Sequence, residues 1–404
     1  MNNQRKNLAL LYFTLAVILM GFGVLIPLEA FLVDDFGASG QALGLLVSLH
    51  ALFQLLFSPI WGSLSDQHGR KPLLMVGALG NALALVMFGL STQLWMLFVA
   101  RALAGLFSAA TLPTAMAFIS DSTSAENRGG GMGVIGAAMG TGMVLGPGLG
   151  GWLGSSSLSL PFFVAGGLSL LAAVLIFLIL PESLPPEERQ EQVEISVTER
   201  FTGMWHGLKG PLGLLLGLGF LVSFGLSNME GIFGLFALER FNFGPSQVGT
   251  VMTVVGLVVA GVQMALTGPA TKRWGERTVI KAALVGNAGA FLLMLAAYDL
   301  PSLMITTGVF AFTNAMLRPS IASLVSKEAE IDQGIALGLN NSFMSLGRFV
   351  GPVLAGFLFD VRVFLPYLSG SLIMFLGFLF LHMRTARKTS PQEGAAQAAT
   401  PHAD

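Results

Sequence analysis

Long apolar runs, broken by short clusters of charge, Pro and Gly, recur along almost the whole chain. A helix needs about 20 apolar residues to cross the hydrocarbon core of a bilayer. The breaks leave twelve such runs, near residues 8–33, 41–61, 72–92, 94–118, 130–154, 160–180, 211–238, 246–270, 278–298, 301–324, 334–359 and 364–383. The pattern predicts an all-α membrane protein with twelve transmembrane helices. Arg5 and Lys6 precede the first run, which is too long for the apolar core of a cleaved signal and reads as the first span. The longest polar stretch between spans is PESLPPEERQEQVEISVTERF (181–201), after the sixth. It predicts an N-terminal six-helix bundle over 1–180, a cytoplasmic linker over 181–210 and a C-terminal six-helix bundle over 211–384. Residues 385–404, rich in Ala, Thr and Ser, are expected to form a disordered cytoplasmic tail.

The two halves repeat one another. GPGLGG at 146–151 returns as GPVLAG at 351–356, an offset of 205, and Phe36 and Gly44 match Phe241 and Gly249 at the same offset. GSLSDQHGRK at 62–71 echoes GPATKRWGER at 268–277, and Pro113 matches Pro319, both at 206. Parallel six-span halves are the architecture of major facilitator transporters, which place the substrate site between the halves near the midplane.

Charge sets the orientation. With both termini in the cytoplasm, sixteen of the 21 Lys and Arg fall in cytoplasmic segments, at 5–6, 70–71, 128, 189–209, 272–281, 327 and 384–388. Two, Arg240 and Arg362, fall outside, and Arg101, Arg318 and Arg348 lie within spans. This is the positive-inside bias. It predicts a multi-pass membrane protein with both termini in the cytoplasm.

Composition agrees and excludes much. The chain is 53% hydrophobic and 11% charged, against about 25% charged in a soluble domain. A net charge of −1 gives no sign of nucleic-acid binding, and the absence of cysteine excludes disulfides, thiolate metal sites and cysteine nucleophiles. Glycine-rich strings lie inside spans rather than between a strand and a helix, so they are not phosphate cradles. No enzyme, metal or cofactor is expected. The expected partners are a small-molecule substrate, protons and the lipid bilayer, and the expected state is a monomer.

Glu230 is the sole charge between Pro211 and Leu238. It lies about 10 Å inside the outer face at ~1.5 Å per residue, where an unpaired charge costs several kcal/mol. It avoids that cost by facing a water-filled cavity or by holding a proton, and a group able to exist in both forms is a proton carrier. The competing reading is a structural carboxylate bonded to a neighbouring helix. Arg101 must likewise be paired or wet: either it tunes Glu230 or it pins spans 4 and 1 together. Arg318 and Arg348 face the same choice, and His50 in span 2 titrates near neutral pH when unperturbed. Gly62, Asp66, Gly69 and Arg70 lie in the loop between spans 2 and 3. Asp66 and Arg70 stand four residues apart, close enough to pair on a helix, and Asp121 at the end of span 4 can join them. Such a cluster can latch the two halves in one state.

GSLSDQHGRK resembles the signature loop of the major facilitator superfamily, and the resemblance covers all twelve spans. RALAGLFSAA (101–110) is similar to the span-4 arginine motif of that family, and GTGMVLGPGLGG (140–151) to its span-5 antiporter motif. With GFGVLIP (21–27), FGLSNMEGIFGLFALERF (224–241), MLRPSI (316–321) and FVGPVLAGFLFD (349–360), the chain resembles drug–proton antiporters, in particular bacterial multidrug efflux pumps of the NorA and Bmr kind. The resemblance implies a place in the bacterial cytoplasmic membrane and export of small amphipathic, cationic or zwitterionic compounds in exchange for protons. It implies that Glu230 couples to protons and binds substrate, with Arg101 assisting and Arg318 matching the span-10 family arginine. It gives Gly142, Gly146, Pro147, Gly150 and Gly151 a role in close helix packing. Met143, Phe224, Phe233, Phe236 and His50 are candidates for lining the substrate pocket. One position departs from the family: Ala315 stands where such pumps carry a second acid. Glu29 in span 1 either replaces that acid in the cavity or reaches outward to water. Two alternatives remain, an exporter of one dedicated metabolite or lipid and a non-transporting sensor or scaffold.

Overall fold

A computed structural model of the chain describes residues 2–123, 128–189, 197–329 and 333–397. Among them are twelve helical segments long and apolar enough to cross a membrane, and no strand. The N-terminal half consists of α1 (Asn2–Asp35), α2 (Gly40–His68), α3 (Arg70–Gly89), α4 (Leu94–Ser122), α5 (Arg128–Gly154) and α6 (Leu160–Ile179). A helix that the apolar pattern does not predict, α7 (Val197–Lys209), lies in the linker; residues 190–196 of that linker lie outside the described residues. The C-terminal half holds α8 (Gly213–Phe241), α9 (Pro245–Val262), α10 (Gly268–Trp274), α11 (Glu276–Met294), α12 (Leu300–Glu328), α13 (Gln333–Val361) and α14 (Leu365–Gln397). A π-turn over Gln263–Thr267 joins α9 to α10, so the two form one span. The backbone is helical as far as Gln397, through the first part of the tail expected to be disordered. Residues 398–404 of that tail lie outside the described residues.

Most spans extend several residues past their apolar runs, as α2 does to His68 and α4 to Ser122. A spanning helix satisfies its own backbone polar groups, so it need not stop where the lipid ends. Pro27, Pro59, Pro113, Pro147, Pro319 and Pro352 all sit inside helices. Neighbouring helices make this tolerable in a membrane bundle.

The packing repeats as the sequence does. α1 packs on α5 and α6, α2 on α4, and α3 on α4 and α6; correspondingly α8 packs on α13 and α14, α9 on α12, and α11 on α12 and α14. Between the halves α2 meets α13 and α5 meets α9, while α1 touches α8. Both main crossings turn on a pair of glycines. A Cβ at Gly151 would sit 2.7 Å from the Cα of Gly249, and one at Gly44 would sit 3.2 Å from the Cα of Gly356. The offset of 205 carries Gly44 to Gly249 and Gly151 to Gly356, so the two crossings are copies of each other. Helices gain little from the hydrophobic effect inside lipid; close packing through small residues holds them together.

These contacts belong to the end of the bundle that carries the short loops at 36–39, 155–159, 242–244 and 362–364. Toward the other end the glycines of the same helices face open space: a Cβ at Gly133, Gly136, Gly140, Gly261 or Gly338 would meet nothing within 4 Å. The halves are therefore joined at one end and splayed at the other.

Candidate functional site

Where the halves meet, a small cavity of ≈ 40 Å³ is lined by Phe22, Glu29, Arg101 and Glu230, together with Leu43 and Gly234. That volume holds water but no drug-sized molecule. Three of the five intramembrane charges singled out in the sequence, Glu29, Arg101 and Glu230, thus share one space. Glu29 is 2% exposed, so it does not reach to outer water. Its Oε1 lies 2.9 Å from Nη1 of Arg101, which is also 2% exposed. The pair joins α1 to α4, as one reading of Arg101 expected. It is a close charge pair rather than an aligned hydrogen bond: Glu29 Oε1, Arg101 Nε and Arg101 Nη1 lack an aligned partner among the described residues. The guanidinium also stands over the Phe22 ring, 5.6 Å from its centre, which adds a cation–π attraction. His50 packs against the same Phe22 ring, with centroids 5.3 Å apart, and its Nε2 is 3.4 Å from the Ser108 hydroxyl.

Glu230 differs. It is partly exposed, and no Lys or Arg of the described residues stands within ion-pair distance. Arg318 on α12 and Arg348 on α13, also partly exposed, act on it electrostatically from neighbouring helices. Arg348 donates to the Ser345 hydroxyl at 2.9 Å, while its Nε has no partner. Arg348, left open in the sequence between tuning Glu230 and packing, lies near enough to act on Glu230 electrostatically. Ala315, at the position of the missing acid, is buried at 2% exposure.

The aromatic candidates separate. Phe233 and Phe236 are 1% and 0% exposed in the core of the C-terminal half. Phe236 packs on Tyr367 at 4.4 Å between ring centres. The expectation that these two line the pocket is corrected: neither is among the residues that line this cavity, and both are taken up by packing in the core. Phe224 packs beside Phe220 on the same helix. Met143 is half-buried at the α5–α9 crossing, where its carbonyl oxygen faces Gly256.

The span-5 glycines divide by face. Gly142, Gly146 and Gly150 receive α1, with Gly23 and Val24 against them, and Gly151 receives α9 from the other half. Pro147 lies within the unbroken helix and presents its carbonyl oxygen 2.5 Å from where a Cβ at Gly249 would sit. This motif therefore lets one helix pack closely on two partners at once.

The loop cluster is assembled as the spacing predicts. Arg70 contacts Asp66 at 2.5 Å and Asp121 at 2.9 Å, and Glu182, which the sequence did not single out, accepts from the backbone N–H of Arg70 at 2.7 Å. Gly69 has φ +102°, a conformation side chains disfavour, and a Cβ there would meet the Glu182 carboxyl carbon at 2.7 Å. Gly62, expected in the loop cluster, lies inside α2, and nothing stands within 4 Å of a Cβ placed there, so no close approach depends on it in this state. Every partner given for the cluster belongs to the N-terminal half or to the loop after α6.

Comparison with known proteins agrees with this geometry. The Major Facilitator Superfamily model matches residues 11–216 and 215–403. Multidrug resistance protein 2 of Bacillus subtilis (strain 168) is 32% identical over 93% of this chain and 94% of its own length. Quinolone resistance protein NorA of Staphylococcus aureus (strain COL) is 30% identical over 90% of this chain and 92% of its own. Among solved structures, the human organic anion transporter MFSD10 superposes with a TM-score of 0.70 at 25% identity, over 94% of this chain and 99% of that one. Repeated halves, an intramembrane charge cluster between them and these relatives lead to one conclusion: the chain belongs to the major facilitator superfamily, as a multi-pass membrane transporter related to multidrug resistance proteins.

Proposed function

We propose that this protein exports small amphipathic compounds, cationic or zwitterionic, across the bacterial cytoplasmic membrane in exchange for protons. The observation that carries the proposal is Glu230: a partly exposed carboxylate deep in a span, lining a cavity at the junction of the halves, with no Lys or Arg within ion-pair distance among the described residues. Such a group can hold either a proton or the positive end of a substrate, and a site that holds one or the other exchanges them. Glu29 and Arg101 form a fixed charge pair beside it. Arg318 and Arg348 offer a place for the negative end of a zwitterion.

The Lys and Arg bias puts both termini, and the splayed end of the bundle, in the cytoplasm. In this state the site opens inward, and the glycine crossings close it to the outside. Export proceeds by rocking the halves until the crossings part. Protonation of Glu230 from outside then releases the substrate and favours return. The Asp66, Arg70 and Asp121 cluster, with Glu182, keeps α2, α3 and α4 moving as one body and governs the rate of interconversion. The protein acts as a monomer and needs no metal or cofactor.

The test is transport in liposomes under an imposed proton gradient, with the wild type and Glu230→Gln. The proposal expects accumulation of a cationic dye by the wild type only. Equal rates would remove Glu230 as the carrier. Movement of no member of a broad drug panel, with a single metabolite or lipid moved instead, would favour a dedicated exporter.

A further inference from the structure

The two crossings between the halves are copies by sequence, but they end differently. At the α2–α13 crossing, Asp360 at the end of α13 reaches across to the first turn of α2. Its Oδ1 accepts from the backbone N–H of Gly40 at 2.7 Å and its Oδ2 from that of Gln41 at 2.9 Å. Both oxygens of one carboxylate thus fill two of the free N–H groups that every helix start leaves open. The charge also sits at the positive end of the α2 dipole. Ser39 fills another, accepting from Ala42 N–H at 3.4 Å.

Nothing comparable is built at the α5–α9 crossing. The offset of 205 puts Ser155 in place of Asp360 and Pro245 in place of Gly40. Pro245 has no N–H to give. Ser155 turns its hydroxyl back to the carbonyl of Trp152 in its own helix, at 2.6 Å. The start of α9 is capped from within, where Gln247 accepts from Gly244 N–H at 3.1 Å. One crossing is thus held by packing and a neutral side-chain bond, which Trp152 Nε1 donates to the Thr250 hydroxyl at 3.3 Å, the other by packing and a charge.

We infer that Asp360 is a positioning residue for transport: it holds the outer ends of the halves together and so biases the central site toward the cytoplasm. This rests on the alternating-access reading proposed above, but not on which compounds are moved or which residue carries the proton. Asp360 touches neither the cavity nor the charges around it. Its bonds exist only while α2 and α13 meet, so they contribute to the outer-closed state and are lost when the halves part there. An exporter must receive substrate from the cytoplasm before it can release it outside. A latch on the outer end keeps the receiving state populated. Its strength must stay modest, since the halves have to part in every cycle, and Asp360 is exposed, so water and salt weaken its bonds.

The chain contains no cysteine, so introduced thiols can be labelled without background. Ser156→Cys and Tyr298→Cys place spin labels on exposed outer loops of opposite halves. Distances between them are measured in liposomes, without substrate, for the unmodified chain, Asp360→Asn, Asp360→Ala and Asp35→Asn. The inference expects one dominant short distance in the unmodified chain. It expects the long-distance population to grow about tenfold in Asp360→Ala, the size of one partly screened charge-assisted bond, and less in Asp360→Asn, whose amide keeps one acceptor. Asp35→Asn, an exposed carboxylate at the same end, should change nothing. In export of the monocationic dye ethidium, Asp360→Ala should raise the half-saturating cytoplasmic concentration without lowering the maximal rate, because fewer molecules wait in the receiving state. A general loss of stability would not produce that split. An unchanged distance distribution in Asp360→Ala overturns the inference, as does a fall in maximal rate at constant half-saturation. If the unmodified chain moves no ethidium, the proposed function is in question, and the distances alone decide for or against the latch.

Discussion

The two glutamates of the cavity lie in equivalent spans and live in different surroundings. Glu29 is dry, 2% exposed, with an arginine at 2.9 Å. Glu230 is partly exposed and has arginines only at longer range. A carboxylate matched to a buried guanidinium is held in place by it, because breaking the pair would leave that guanidinium buried without a partner. A partly exposed carboxylate with no charge at close range has no single partner to give up when it takes a proton or a cation. On the proposed exchange mechanism the two acids would have separate tasks: Glu29 would hold Arg101 and shape the field, and Glu230 would do the exchanging.

The largest expected effect comes from taking the exchanging acid away. Glu230→Gln keeps the shape and should reduce proton-driven export to background, with the melting temperature near that of the wild type. Next is the dry pair. Arg101→Gln leaves Glu29 buried without its partner and should cost about 3–5 kcal/mol of stability, read as a fall in melting temperature in detergent. The double variant Glu29→Gln, Arg101→Gln should recover at least part of that loss, because neither charge is then stranded. If the double variant is as unstable as the sum of the singles, the pair is not coupled and the comparison fails.

Glu29→Gln alone should have a middling effect. It frees the charge of Arg101 inside the cavity, so export of a dication should suffer more than export of a neutral dye. Equal effects on both would mean that the charge of Glu29 does not reach the substrate. The smallest effect belongs to the loop cluster. Asp66→Asn should slow turnover roughly two- to fivefold, since a partly exposed pair is worth about 0.2–1 kcal/mol, with substrate affinity unchanged. A loss of equilibrium affinity at constant turnover would place Asp66 in the binding site.

The spans were legible because lipid demands apolar length, and the repeat because packing at Gly44, Gly151, Gly249 and Gly356 demands small residues at fixed positions. Glu230 and Arg101 stood out for the same reason: charge inside an apolar run is costly. The partner of Arg101 was not legible, since the spacing of Glu29 from the end of its span fits either direction equally. Phe233 and Phe236 were misplaced because a helix buried on nearly all sides has no apolar stripe to show which face meets the cavity. Asp360 and Glu182 fall at span ends, where a carboxylate costs little and attracts no notice; only the mismatch of Asp360 with Ser155 in the repeat carried a signal.

The division of labour between the two acids is tested most directly by proton release from purified protein in weakly buffered detergent on addition of a cationic dye. The account predicts release from the wild type and from Glu29→Gln, and none from Glu230→Gln. Release from Glu230→Gln, with none from Glu29→Gln, would contradict it and make Glu29 the exchanging acid.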